Sequence, residues 1–227
     1  MIPFLSQIAS LFYNHYGAEL SRLAFIFPNQ WAGLFFKKYL SELTDKHVFS
    51  PTILTISDLF IQLSGKQLAD RISMLFTLYK IYVAKSQSQE SFDEFLYWGE
   101  MLLNDFDDVD KYMADARMLF RNVTDLREIE SDFSFLSEKQ IAAIRSFWSS
   151  FYPKNDSPNQ QQFLAVWEIL YELYDDLRTS LAQEGKGYEG MIFREVVELF
   201  SQENKSELPY EKIVFVGLNA LSVVEER

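Results

Sequence analysis

The run Leu23-Ala24-Phe25-Ile26-Phe27 is continuously apolar, the pattern of a short strand buried on both faces. Pro28 ends it, because proline donates nothing to a ladder and pre-sets a turn. Asn29 is placed to cap a following helix in which Leu34, Phe35, Tyr39 and Leu40 recur at helical spacing. A strand feeding a helix through a tight polar turn is the repeating unit of α/β folds. The unit recurs after Pro51, where Thr52-Ile53-Leu54-Thr55 reads as a strand and Ser57 as the cap of a short helix through Gln62. Two such units in succession predict a parallel pair of strands. Ahead of them, Leu5, Ile8, Phe12 and Tyr16 lie on one face of an amphipathic helix, Ile2 to Tyr16, ended by Gly17.

Beyond Gly65 the spacing predicts helices only. Leu68, Ile72, Leu75, Phe76 and Tyr79 form one stripe; Phe92, Phe95, Leu96, Leu102, Leu103 and Phe106 form another. Ser137 with Gln140 gives a capping box for a helix carrying Ile141, Ile144, Phe147 and Trp148. A long helix follows on Phe163, Val166, Leu170, Leu173, Tyr174, Leu177 and Leu181. Gly185 and Gly187 then break the chain before a helix from Met191 to Phe200. The loop from Pro153 to Pro158 and the tract from Gln202 to Pro209 read as linkers. Lys212-Ile213-Val214-Phe215-Val216-Gly217 is a third buried-strand pattern, the cleanest of the three, and Ser222 caps a helix from Val223. Because the chain stops one turn into that helix, it reads as a piece of something longer. Neither an internal repeat nor a low-complexity segment interrupts this order.

The expected fold is therefore helix-rich α/β. A small parallel sheet, residues 1–64 plus 209–227, is interrupted by a helical insertion over residues 65–208. Composition agrees: 48% of residues are hydrophobic, with 21 Phe and 12 Tyr, which excludes disorder and calls for aromatic-rich packing. The absence of Cys removes disulfides, thiolate metal sites and thiol nucleophiles, and fits a reducing compartment. With no leader-like segment at the start and no window of membrane-spanning length, the expectation is a cytoplasmic protein without a membrane partner.

The formal charge of −12 excludes a whole-surface attraction to nucleic acid. Much of that excess is local. Between Glu90 and Asp132 there are 13 acidic and 4 basic residues, a net of −9, so a basic groove elsewhere stays open.

Candidate chemistry is thin. At the Gly-Lys pair Gly65-Lys66, Phe60 stands where a P-loop needs its first glycine and Gln67 where it needs Ser or Thr. Gly65 reads as a helix stop. The third strand lacks the acids of a Walker B segment: Gly217 and Leu218 occupy their places, and Glu225 and Glu226 read as solvated helix residues. The run Asp105-Phe106-Asp107-Asp108-Val109-Asp110 fails a calcium loop at its fifth, sixth and twelfth positions, so it reads as a solvated or capping acidic turn between helices. His15 and His47 are too few for a metal cluster or a triad. Catalytic residues, metal ligands and cofactors are accordingly not assigned to this chain.

Three segments nevertheless fall in a family's order. Ala24-Phe25-Ile26-Phe27-Pro28-Asn29-Gln30-Trp31-Ala32 resembles motif Ia of superfamily 1 helicases, and Ile53-Leu54-Thr55-Ile56-Ser57-Asp58-Leu59-Phe60 is similar to the motif that follows it. Ile213 to Leu221 resembles the motif II strand with its acids lost. The helical insertion between them resembles the 1B subdomain. The Pro-Asn turn, the Asp-Phe-Asp-x-x-Asp segment and the Phe-Val-Gly-x-Asn-x-Leu-Ser ending are most similar to the AddB-type, RexB-like subunit of helicase–nucleases.

The resemblance implies an inactivated helicase-like region that guides or inspects DNA in double-strand-break repair and recombination, beside a partner subunit of AddA type. A PD-(D/E)XK nuclease would lie outside this chain. By the same implication Pro28, Asn29, Gln30, Trp31, Thr55 and Ser57 face single-stranded DNA, with Lys37, and Lys38 beside it, offered to phosphate. The bland reading of those residues is capping and packing. The rival for the whole chain is a protein–protein scaffold whose acidic helices bind a basic partner without touching DNA. A small enzyme is a third reading, for which the sequence assembles no site.

Overall fold

The computed structural model describes residues 2–43, 49–86, 88–124, 169–201 and 209–227. The chain divides into two compact units, one of Met1–Leu68, Asp110–Tyr112 and Gly187–Arg227, the other of Ala69–Val109 and Met113–Lys186.

The first unit is built on a three-stranded parallel sheet in the order β2-β1-β5: β1 is Leu23–Phe27, β2 Thr52–Thr55 and β5 Lys212–Phe215. Phe25 of β1 stands opposite Ile53 on one side and Val214 on the other. With a neighbour on each edge and helices on each face, all five β1 residues are buried. Its side chains alternate as a strand requires. Leu23, Phe25 and Phe27 enter a cluster with Ala9 of α1 (Phe4–Tyr16) and Phe36 and Leu40 of α2 (Gln30–Glu42). Ile26 enters the opposite cluster with Ile56 and Leu59 of α3 (Ile56–Ser64). Phe36 sits 4.7 Å from Phe25 and 5.3 Å from Phe27, ring to ring. On the α3 side, Phe60 stacks on Phe193 at 4.2 Å, bringing in α8 (Glu189–Ser201). The small parallel sheet in a helix-rich α/β chain is as the sequence predicts.

Several details differ. The buried face of α2 is Gly33, Phe36 and Leu40, while Leu34 and Phe35 point to solvent at 58% and 48% exposure. The triplet Leu34-Phe35-Phe36 suits either face by hydrophobicity alone; Gly33, with no side chain, lets the helix approach the sheet on its own side. The cap of α3 is Thr55, not Ser57, because Thr55 closes a reciprocal box with Asp58 and the helix starts at Ile56. The third strand pattern is an edge strand with Lys212 and Phe215 exposed, since an apolar run does not distinguish an edge from a centre. Helix α9 (Val223–Glu226) does begin behind Ser222, and Glu225 is its capping partner rather than a solvated residue. Helix α8, which the pattern assigned to the insertion, clusters with the sheet unit.

The second unit contains α4 (Arg71–Ser86), most of α5 (Phe92–Lys111), α6 (Ala116–Thr124) and α7 (Leu170–Gln183). Leu170, Leu173, Tyr174, Leu177 and Leu181 are buried on α7 as their spacing predicts. In α4 the buried stripe is Met74, Leu75, Leu78 and Tyr82; Leu68 and Ile72 are exposed, and Phe76 instead stacks on Phe92 at 4.2 Å. A helix apolar on several sides leaves its inner face to be chosen by neighbours. In α5 Phe95, Leu102, Leu103 and Phe106 are buried, and Leu96 is exposed. Phe106, Phe120 and Tyr174 form an aromatic cluster at 5.4–5.9 Å.

Residues 67–68 and 186–187 form two-residue strands, β3 and β4, beyond Gly65, where the pattern predicts no strand before the third strand run. The Ser137–Gln140 capping box, its helix, Phe163, Val166, the loop at 153–158 and the tract at 202–208 lie outside the described residues. Among the described residues, no helix is long and apolar enough to cross a membrane.

Candidate nucleic-acid interface

Because β1 and β2 are parallel neighbours, the turns that leave their carboxyl ends emerge side by side. They open onto a cleft of about 420 Å³ lined by Asn29, Gln30, Trp31, Gly33, Leu34, Lys37, Ile53, Leu54, Thr55 and Asp58. Two helices, α2 and α3, start there, and the first turn of each is capped by a side chain that lines the cleft. The Asn29 side chain caps α2, accepting a hydrogen bond from Ala32 N at 3.0 Å. Thr55 caps α3: Asp58 N donates to Thr55 Oγ1 at 3.1 Å, and Thr55 N and Oγ1 donate to Asp58 Oδ2 at 2.9 and 2.7 Å.

Of the residues expected at an interface, Asn29, Gln30, Trp31, Lys37 and Thr55 are brought together in this cleft. Trp31 is 71% exposed, an unusual position for the largest apolar side chain. Lys37 is exposed and, among the described residues, has no ion-pair partner. Lys38 is exposed and only loosely paired, 3.9 Å from Glu42. Pro28 is exposed and forms the turn without lining the cleft. The hydroxyl proton of Thr55 is already given to Asp58. Ser57 lies outside the cleft lining, its hydroxyl donating to Glu189.

Residues not foreseen at the cleft are Gly33, Leu34, Ile53, Leu54 and Asp58. A readable signal existed for Asp58, three places after Thr55 in capping-box register. For Gly33 the signal is spatial: a Cβ there would meet Ile53 Cγ2 at 2.7 Å, so α2 packs close to β2 because this residue is glycine.

Several other polar groups of the first unit pair away from the cleft. Asp110, fully buried, accepts from Tyr188 Oη at 2.5 Å and from Arg194 Nη1 at 3.3 Å. It belongs to a helix, so the acidic run is not a solvated turn as the sequence suggested. Its outer residues ride on α5, and its last one anchors a buried ion pair. Glu189 accepts from Lys111 at 2.6 Å and from Ser57; burial by itself would raise its carboxyl, and these hydrogen bonds outweigh that and hold it below the ordinary value. Gly65 ends α3 in the left-handed conformation, φ +67°, and Lys66 pairs with Glu195 at 2.5 Å. Among the described residues no group of three or more His, Asp or Glu is placed to hold a metal ion. His15 packs its ring against Tyr16, and His47 lies outside the described residues.

Neither a protein-family model nor a curated protein matches the chain.

Proposed function

We propose that this chain is a non-catalytic, helicase-like region of an AddB-type helicase–nuclease subunit, and that it guides a single strand of DNA during double-strand-break repair in the cytoplasm, beside a partner subunit of AddA type. One observation carries the reading: the turns after two adjacent parallel strands converge on a cleft that offers an exposed indole, a lysine with no ion-pair partner among the described residues, and the polar caps of two helices. An indole stacks on a base of any identity, a lysine meets phosphate, and short polar turns suit the sugar and the backbone. Ligands of parallel α/β sheets bind at this carboxyl end. Nucleotide hydrolysis is not part of the proposal. Gly65 serves as a helix stop, Lys66 is neutralised by Glu195, and Gly217 and Leu218 stand where a motif II would need acids.

The test is a fluorescence-anisotropy titration of a labelled single strand with the whole chain at low and physiological salt. Binding is expected to weaken with salt, and Lys37→Ala to lower the salt slope by about 0.7, the value of one single-strand phosphate contact. Trp31→Ala is expected to weaken binding at both salts. Absence of binding at low salt, or binding indifferent to both substitutions, would overturn the reading.

A further inference from the structure

The exposed apolar surface does not stop at the cleft. Trp31 and Leu34 line it, and Phe35, one turn beyond Trp31, continues the same outer face of α2 with nearly half its surface exposed. The sheet takes Gly33, Phe36 and Leu40 from this helix, and among the described residues Phe35 is outside the buried core clusters. Lys37 and Lys38 flank the stripe at its far end.

We infer that this stripe is a second stacking surface for the strand held in the cleft. The bound strand leaves the sheet along the outside of α2, with one base on Trp31, a later base against Phe35 and Leu34, and phosphates beside Lys37 and Lys38. The inference rests on the DNA-guiding reading of the cleft and adds to it a direction and a longer site. Charge argues for this occupant. An apolar stripe serving a hydrophobic partner gains nothing from an adjoining lysine that has no counter-ion among the described residues, whereas aromatic groups followed by lysines offer a strand both base stacking and phosphate contact. Phe35 is half exposed and belongs to neither core cluster of the first unit, so its removal should leave that core folded.

The experiment compares Phe35→Ala, Trp31→Ala and wild type against oligothymidylates of about four and about twelve nucleotides, the range of single-strand site sizes. Far-ultraviolet circular dichroism and sedimentation of each protein accompany the titrations. Trp31→Ala should weaken both oligonucleotides by about tenfold, within the range for loss of one stacked base. Phe35→Ala should weaken the longer one by about fivefold to tenfold and leave the shorter unchanged. If Phe35→Ala leaves both unchanged while Trp31→Ala weakens both, the extension is wrong and the cleft reading stands. If Phe35→Ala changes the sedimentation of the protein but not its affinity for DNA, the stripe is a protein interface and the inference falls. If wild type binds neither oligonucleotide, the cleft reading fails and takes the inference with it.

Discussion

A Cβ placed on Gly33 would stand 2.7 Å from Cγ2 of Ile53, closer than side-chain carbons approach one another. That contact sets the distance between α2 and β2, and so the width of the cleft between the turns that start at Asn29 and Thr55. Ile53 is β-branched and lies in a strand, so its methyl has few rotamers in which to retreat. Gly33→Ala should cost about 1–3 kcal/mol despite its better helix propensity. Ile53→Ala removes the clashing methyl, so in urea unfolding the double variant should lose less than the two single variants together. Strict additivity would show that the close approach does not govern the packing.

Buried polar contacts hold α8 and the end of α5 in the first unit. Asp110 is fully buried between Tyr188 Oη and Arg194 Nη1. Asp110→Ala would remove a buried carboxylate that accepts two hydrogen bonds, while Arg194 keeps Glu198 at 2.9 Å, and should cost about 3–5 kcal/mol. Tyr188→Phe removes one hydrogen bond to a charged group and should cost about 1.5–3 kcal/mol. Chemical denaturation of both variants checks the order; equal, small losses would mean that solvent reaches this pair.

The pH dependence of the second unit should carry the mark of Asp105. Its burial, with the Asp108 carboxylate adding to it, pushes the carboxyl up to about 7, and its Oδ2 is buried with no hydrogen-bond partner among the described residues. From the ordinary value of 3.8 up to about 7 the folded state keeps a proton that the unfolded state has released. This group's contribution to stability therefore falls as pH rises through that window. Asp105→Asn cannot ionise, so it should gain on wild type as pH rises, by about 2 kcal/mol at about pH 8 and by much less at about pH 4. Parallel urea titrations of the two proteins read the difference. A gap that does not change with pH would contradict it.

How much was legible follows from what each signal measures. The runs at Leu23 and Thr52, the Asn29 cap and the periodic face of α7 are local patterns, and they formed as read. The inner faces of α2 and α4 were not legible, because Leu34-Phe35-Phe36 and the several apolar sides of α4 satisfy more than one rotation. The neighbours that decide between them are distant in sequence. Asp110 was misread for a related reason. Charge density alone implies solvation, and only the fold supplies Tyr188 and Arg194, 78 and 84 residues away. For the cleft, the two turns and Trp31 could be read, whereas its floor at Ile53 and Leu54 depends on strand register.

The most direct test of the central claim is photo-cross-linking of a single strand carrying 5-iodouracil to the whole chain, followed by peptide mapping of the adducts. Adducts on the segment from Asn29 to Lys37, with Trp31 the main site and lost in Trp31→Ala, are the predicted result. Adducts confined to the acidic helix Phe92–Lys111, or an equal yield from Trp31→Ala at other positions, would contradict a DNA path through this cleft.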